Sequence, residues 1–214
     1  MKKFVSGAIV LCIIYTTATS VYASSAYYQA NSRLSHLESS FEKNYLGNKN
    51  LPTFRTYLSE AKSFTNKVTN TSDKRKLDNR IVLCEDIIVT TENVVNMENS
   101  MDKNYKGTKN LPSFISYLDK LNASLLKVKN KVVHNKLSQR SYAGANVIRD
   151  IKVVDSGSYI MAAKLRDEAI SLFNAGDSKG SKSRASEALE FVWECDASLA
   201  KDAIAAELKA IRDN

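Results

Sequence analysis

The chain has 214 residues, with 31 Lys or Arg against 23 Asp or Glu, a formal net charge of +8, and 43% apolar side chains. That supports one or two domains with a real hydrophobic core. Three cysteines and two histidines, with no C-x-x-C pair and no Cys/His cluster, exclude a motif-type metal site.

Residues 1–23 read as a signal peptide. Lys2 and Lys3 precede a largely apolar run from Phe4 to Tyr15, and Val21-Tyr22-Ala23 supplies the small-x-small ending a signal peptidase recognises before Ser24. The apolar run is shorter than the roughly 20 residues that span a bilayer. Leu11 stands where a lipoprotein signal needs a small residue before Cys12. The expected location is therefore secreted or associated with the cell surface or wall, without stable membrane insertion.

An internal duplication follows. "KNYLGNKNLPTFRTYL" at 43–58 returns as "KNYKGTKNLPSFISYL" at 103–118, and 12 of the 19 positions in 40–58 match 100–118. The offset of 60 continues ungapped through Glu38/Glu98, Val68/Val128, Asn70/Asn130, Lys76/Lys136, Arg80/Arg140 and Ile88/Ile148. After the first proline, Phe54, Tyr57, Leu58, Ala61, Phe64 and Val68 form one apolar stripe, as do Phe114, Tyr117, Leu118, Leu121, Leu125 and Val128. That spacing predicts amphipathic helices. Another helix is predicted from about Asp73 to Met101, unbroken and about 48 Å long, shared between the two copies.

The last third lacks the Pro phrase. "SGS" at 156–158 breaks or kinks a helix, Tyr159 to Leu172 form the next one, and "NAGDSKG" ends it with Gly176 and Gly180 suited to left-handed backbone. A single final helix is expected through Ala185, Leu189, Val192, Leu199, Ala203 and Ile211. No strand alternation is visible, so the predicted fold is all-α: an elongated array of three-helix-bundle-like units. Its segments are a helical repeat at 24–90, a second at 91–154 and a divergent helical hairpin at 155–214. Cys84 and Cys195 each fit the apolar stripe of a helix; export also leaves a Cys84–Cys195 disulfide open.

Much of the repeated phrase is helix punctuation: Gly47 and Gly107 past a helix end, Pro52 and Pro112 at a helix start, Thr53 and Ser113 with capping hydroxyls. Five recurring pairs exceed that need: Lys43/Lys103, Asn44/Asn104, Tyr45/Tyr105, Lys49/Lys109 and Asn50/Asn110, with Lys106 added in the second copy. Lysines offer point charges to phosphate or carboxylate, asparagines paired donors and acceptors, and tyrosine a stacking face. A tyrosine closing the loop over the core is the competing reading of Tyr45 and Tyr105. The charge distribution agrees with an anionic partner, because residues 43–153 hold 20 Lys/Arg against 10 Asp/Glu while 154–214 hold 8 against 11. His36 and His134 occupy non-equivalent positions, and no P-loop, H-E-x-x-H or G-x-S-x-G motif occurs, so no enzyme and no cofactor are expected.

The stretches "GNKNLPTFRTYLSEAKSFTNKV" and "GTKNLPSFISYLDKLNASLLKV" resemble the helical N-terminal region of Bacillus-type (SbsC-like) S-layer proteins, where Gly, then an aromatic or Leu before Pro, leads into a helix with Tyr-x-x-Ala-Lys. Pro52, Tyr57, Ala61 and Lys62, with Pro112 and Tyr117, match that pattern; Leu121-Asn122 departs from it. The resemblance implies wall association, since that family's basic helical region holds an anionic wall polymer. The family's β-rich body is missing, which implies binding without building a lattice. The sequence expectation is a secreted protein that binds an anionic cell-wall polymer or glycan and not nucleic acid. The alternative is an exported protein–protein module, an adhesin or scaffold, docking another surface protein on an apolar helix face.

Overall fold

A computed structural model describes residues 25–104 and 106–213. The expected signal peptide and Tyr105 lie outside the described residues. The described chain is all-helical: α1 (25–43), α2 (Leu51–Thr65), α3 (Thr71–Lys103), α4 (Leu111–Leu125), α5 (Lys131–Val154), α6 (Gly157–Asn174), α7 (Ser178–Glu194) and α8 (Leu199–Asp213), with no strand among those residues. The unbroken long helix is α3, at 33 residues.

The chain packs as two compact units, one of residues up to Val95 together with Leu121–Ser138, the other of Asn96–Lys120 and Gln139 onward. These boundaries cut across the repeats, because α3, α4 and α5 each contribute one end to each unit.

In the first unit α1, α2 and α3 form a three-helix bundle. Phe41 of α1 stacks edge-on against Phe54 of α2 with centroids 4.9 Å apart, and His36 meets Tyr57 one to two turns away in the same manner. These pairings run the two helices antiparallel. Leu34, Leu37, Leu58, Ala61, Leu77 and Ile81 complete the buried interior. Around its rim, Arg55 bonds Glu92, Lys62 pairs with Glu85, and Arg80 of α3 reaches α1 at Glu38, Asn31 and Ser35. Asn70 and Asn130 are equivalent caps: their side-chain oxygens accept from Asp73 N–H at 3.0 Å and Val133 N–H at 3.1 Å.

The second unit repeats one of these contacts with different packing beneath it. Arg140 of α5 bonds Glu98 of α3 at 2.7 and 2.5 Å, the sixty-residue image of Arg80 with Glu38. Behind it, Gly144 lies against Met97; a Cβ there would fall 2.6 Å from the Met97 sulfur. Cys84 holds the equivalent place in the first copy, so the second copy exchanges a side chain on one helix for a longer one on its neighbour.

The C-terminal part corrects the two-helix expectation. The predicted final helix is interrupted at Cys195, whose backbone is extended (ψ 149°), and α8 starts afresh at Leu199. Ser198 explains the restart, because its hydroxyl accepts from Lys201 N–H at 3.1 Å, and Asp150 of α5 accepts from Ala200 N–H at 3.2 Å. The result is a three-helix unit around Ala162, Leu165, Ala169, Ala185, Leu189, Val192, Ile204 and Leu208. The "SGS" break is real: Ser156 caps α6 by accepting from Tyr159 N–H. Gly176 takes the left-handed backbone expected of it (φ 84°), but Gly180 sits inside α7, where its N–H donates to the capping carboxylate of Asp177. No Cys84–Cys195 disulfide is formed; both are buried free thiols lining their own helices.

Candidate functional site

Each copy of the repeated phrase becomes the end of one helix, a short loop and the start of the next. Lys43 ends α1 and Lys103 ends α3, while Asn50 and Asn110 stand directly before α2 and α4. In the first loop the Asn50 backbone N–H donates to Gly47 C=O at 3.0 Å, and the Asn50 C=O accepts from Phe54 N–H at 3.0 Å. The second loop repeats both bonds, with Asn110 to Gly107 at 3.0 Å and Phe114 to Asn110 at 3.1 Å. From the glycine to the first helical turn the two loops thus share these two backbone hydrogen bonds.

Several parts of the phrase turn out to shape that path. Asn50, and not Thr53, occupies the N-cap of α2, and no side-chain cap bond forms there. Its Nδ2 instead donates across the loop to Tyr45 C=O at 2.5 Å. Thr53 and Ser113 lie on exposed turns inside their helices, too late to cap them. Gly47 has no left-handed backbone; the Tyr45 ring lies over it, so that a Cβ would meet ring carbons Cδ1 and Cε1 and displace the exposed ring. Asn104 Nδ2 turns back to Ser100 C=O at 2.7 Å and so serves the end of α3. Sequence reading missed Leu46, which is buried and pins the first loop to the core while Lys106 takes the equivalent place exposed. That exchange is the one signal that could have revealed it.

The remaining candidates among the described residues face solvent. Tyr45 is 67% exposed, which removes the reading of a ring closing over the core. Lys43 and Lys49 in the first loop, and Lys103, Lys106 and Lys109 in the second, are all exposed, and none makes an ion pair among the described residues. The neighbouring carboxylates are Glu42 and Asp102. Glu42 is engaged elsewhere, accepting from Asn130 at 2.7 Å through its side chain and from Lys136 through its carbonyl. Each loop thus presents a local excess of ammonium groups on a braced backbone.

Two clefts are lined by residues away from the repeated loops. A cleft of about 430 Å³ in the second unit is lined by Ala145, Ile148, Arg149, Lys152, Asp196 and Ala197. Another of about 200 Å³ in the first unit is lined by Ser25, Ala26, Gln29, Phe64 and Lys67. Neither takes a residue from the repeated loops. Among the described residues no group of three or more His, Cys, Asp or Glu could hold a metal ion, and no helix is long and apolar enough to cross a membrane. The chain matches no protein-family model, no curated protein and no solved structure.

Proposed function

We propose that this is an exported, non-enzymatic helical-bundle protein that binds an anionic cell-envelope polymer through the lysines of its duplicated loops. The observation that carries the reading is the set Lys43, Lys49, Lys103, Lys106 and Lys109: all exposed, all without an ion-pair partner among the described residues, all beside loops whose backbone is braced from within. A lysine left unpaired beside a rigid turn loses little on meeting a phosphate or carboxylate, because only the side chain must be ordered. Tyr45 adds an exposed ring beside Lys43.

The test is retention of the protein on purified wall sacculi, with and without their phosphate- or uronate-bearing polymers. A parallel sample carries Lys43→Ala, Lys49→Ala, Lys103→Ala and Lys109→Ala. Retention should require both the polymers and the lysines, and should weaken as salt rises, since exposed charges are screened over about 8 Å at physiological ionic strength. Binding that is equal at low and high salt, or equal in the variant, would overturn the reading. A second reading has its own observation: α3 leaves Val82, Leu83 and Val89 exposed in the first unit, a surface suited to a protein partner. Salt-insensitive capture of a surface protein, lost on Val82→Asp and Val89→Asp, would favour it.

A further inference from the structure

The C-terminal third is acidic overall, yet its cations are not scattered evenly. On α8, Lys201, Ala205, Lys209 and Arg212 follow one another at i, i+4, i+8 and i+11, a stripe flanking the buried one of Ile204 and Leu208. Across the seam, near the end of α7, stands Trp193, the only tryptophan of the chain. Its indole is 65% exposed, with Lys201 Nζ 6.0 Å and Lys209 Nζ 5.6 Å from the ring centroid. Lys182 of α7 and Lys209 both act on the Asp213 carboxyl at the far end of the seam, where Arg212 already bonds it at 2.8 Å.

Two features make this more than a stray surface tryptophan. Lys201 is anchored, its ammonium donating to Cys195 C=O at 2.5 Å, so one side of the indole has a fixed neighbour. Lys209 is exposed and makes no ion pair among the described residues. Eight residues apart on α8, the two lysines converge over one indole, and of the pair it is Lys209 that is exposed. An exposed indole with ammonium groups lying over it suits a pyranose with a carboxylate: Lys209 turns from the ring to meet the charge, and the apolar face of the sugar takes its place on the indole. A lipid surface fits less well, because insertion needs neighbouring apolar side chains, and the exposed residues beside Trp193 on α7 are Glu190 and Glu194.

We propose that the α7–α8 seam is a binding site for an acidic sugar residue, with Trp193 as the stacking platform and Lys209 as the group that meets the carboxylate. The site uses no residue of the repeated loops and stands or falls independently of them.

Trp193 reports on its own occupancy. The full chain is titrated with a trimer of galacturonate, a neutral maltotriose, inorganic pyrophosphate, and vesicles rich in phosphatidylglycerol, following tryptophan emission. The uronate trimer should give a saturable shift and maltotriose none. Lys209→Ala should weaken the apparent affinity about tenfold, as expected for loss of one charge-assisted contact, with Lys209→Arg recovering most of it. The Lys43, Lys49, Lys103 and Lys109 to Ala variant should respond like the parent. The proposal is overturned by no shift with millimolar uronate trimer, by an equal response to maltotriose, by an unchanged affinity in Lys209→Ala, or by loss of the response in the loop variant. A shift given only by the vesicles, or only by pyrophosphate, overturns it in favour of a lipid surface or a phosphate.

Discussion

Replacing Arg80 with Ala removes a guanidinium that donates to four oxygens on α1: both of Glu38 at 2.8 Å, Asn31 Oδ1 at 2.5 Å and Ser35 Oγ at 3.1 Å. A double-mutant cycle with Glu38→Gln isolates the carboxylate's share. Fully exposed ion pairs contribute about 0.2–1 kcal/mol, whereas hydrogen bonds to charged groups shielded from water reach about 1.5–3 kcal/mol. Side-chain exposure decides where each pair falls: 27% and 41% for Arg80 and Glu38, 15% and 35% for Arg140 and Glu98, and 60% and 29% for Arg55 and Glu92. The expected couplings are therefore about 2 kcal/mol for Arg140–Glu98, about 1 for Arg80–Glu38 and under about 0.5 for Arg55–Glu92. Urea denaturation followed by circular dichroism measures all three. Couplings within about 0.3 kcal/mol of zero at both equivalent pairs, or a larger value at Arg55–Glu92, would refute the argument that shielding sets their strength.

Three further outcomes follow from single residues. Burial, reinforced by the Glu38 charge, pushes the Cys84 thiol up to about 12, above the value of about 8.5 of an unfolded cysteine. The folded state thus holds this proton more tightly, so stability is unaffected below that unfolded value and declines as pH climbs toward the folded one; Cys84→Ser should flatten the decline between about pH 9 and 11, and parallel profiles would contradict it. Gly176→Ala meets no atom within 4 Å but must keep φ at 84°, so a loss of about 1 kcal/mol in denaturation is expected, and an unchanged or raised stability would sink the idea. Asn50→Asp keeps the shape but cannot donate to Tyr45 C=O, so it should cost about 1 kcal/mol of stability; no loss would mean that Asn50 recurs only for its surface chemistry.

How far the sequence could be read depended on the range of the interaction. Pro52 and Pro112 marked the helix starts correctly, since a missing N–H is a property of the residue itself. The caps next to them were misplaced onto Thr53 and Ser113, because capping depends on which hydroxyl or amide the folded backbone brings within reach. The same limit hid the role of Glu38 and Arg80: both were visible as repeat matches, but 42 residues apart nothing local says that they meet. The interruption at Cys195–Ser198 was missed because the apolar spacing runs on through it, and the contact that rewards the break, Asp150 to Ala200, comes from another helix.

By itself the sequence determined the all-helical class, the duplication and the long helix α3, since each follows from periodicity and identity along the chain. Tertiary structure decided everything that requires two distant segments to meet. It made Cys84 and Cys195 separate buried thiols and divided the repeats between two compact units. It laid the Tyr45 ring over Gly47, turned the loop lysines to water and set Trp193 among the lysines of α8. The physical reason is that helix propensity acts over a few residues, whereas burial and charge pairing depend on which surfaces the packed helices leave for each other.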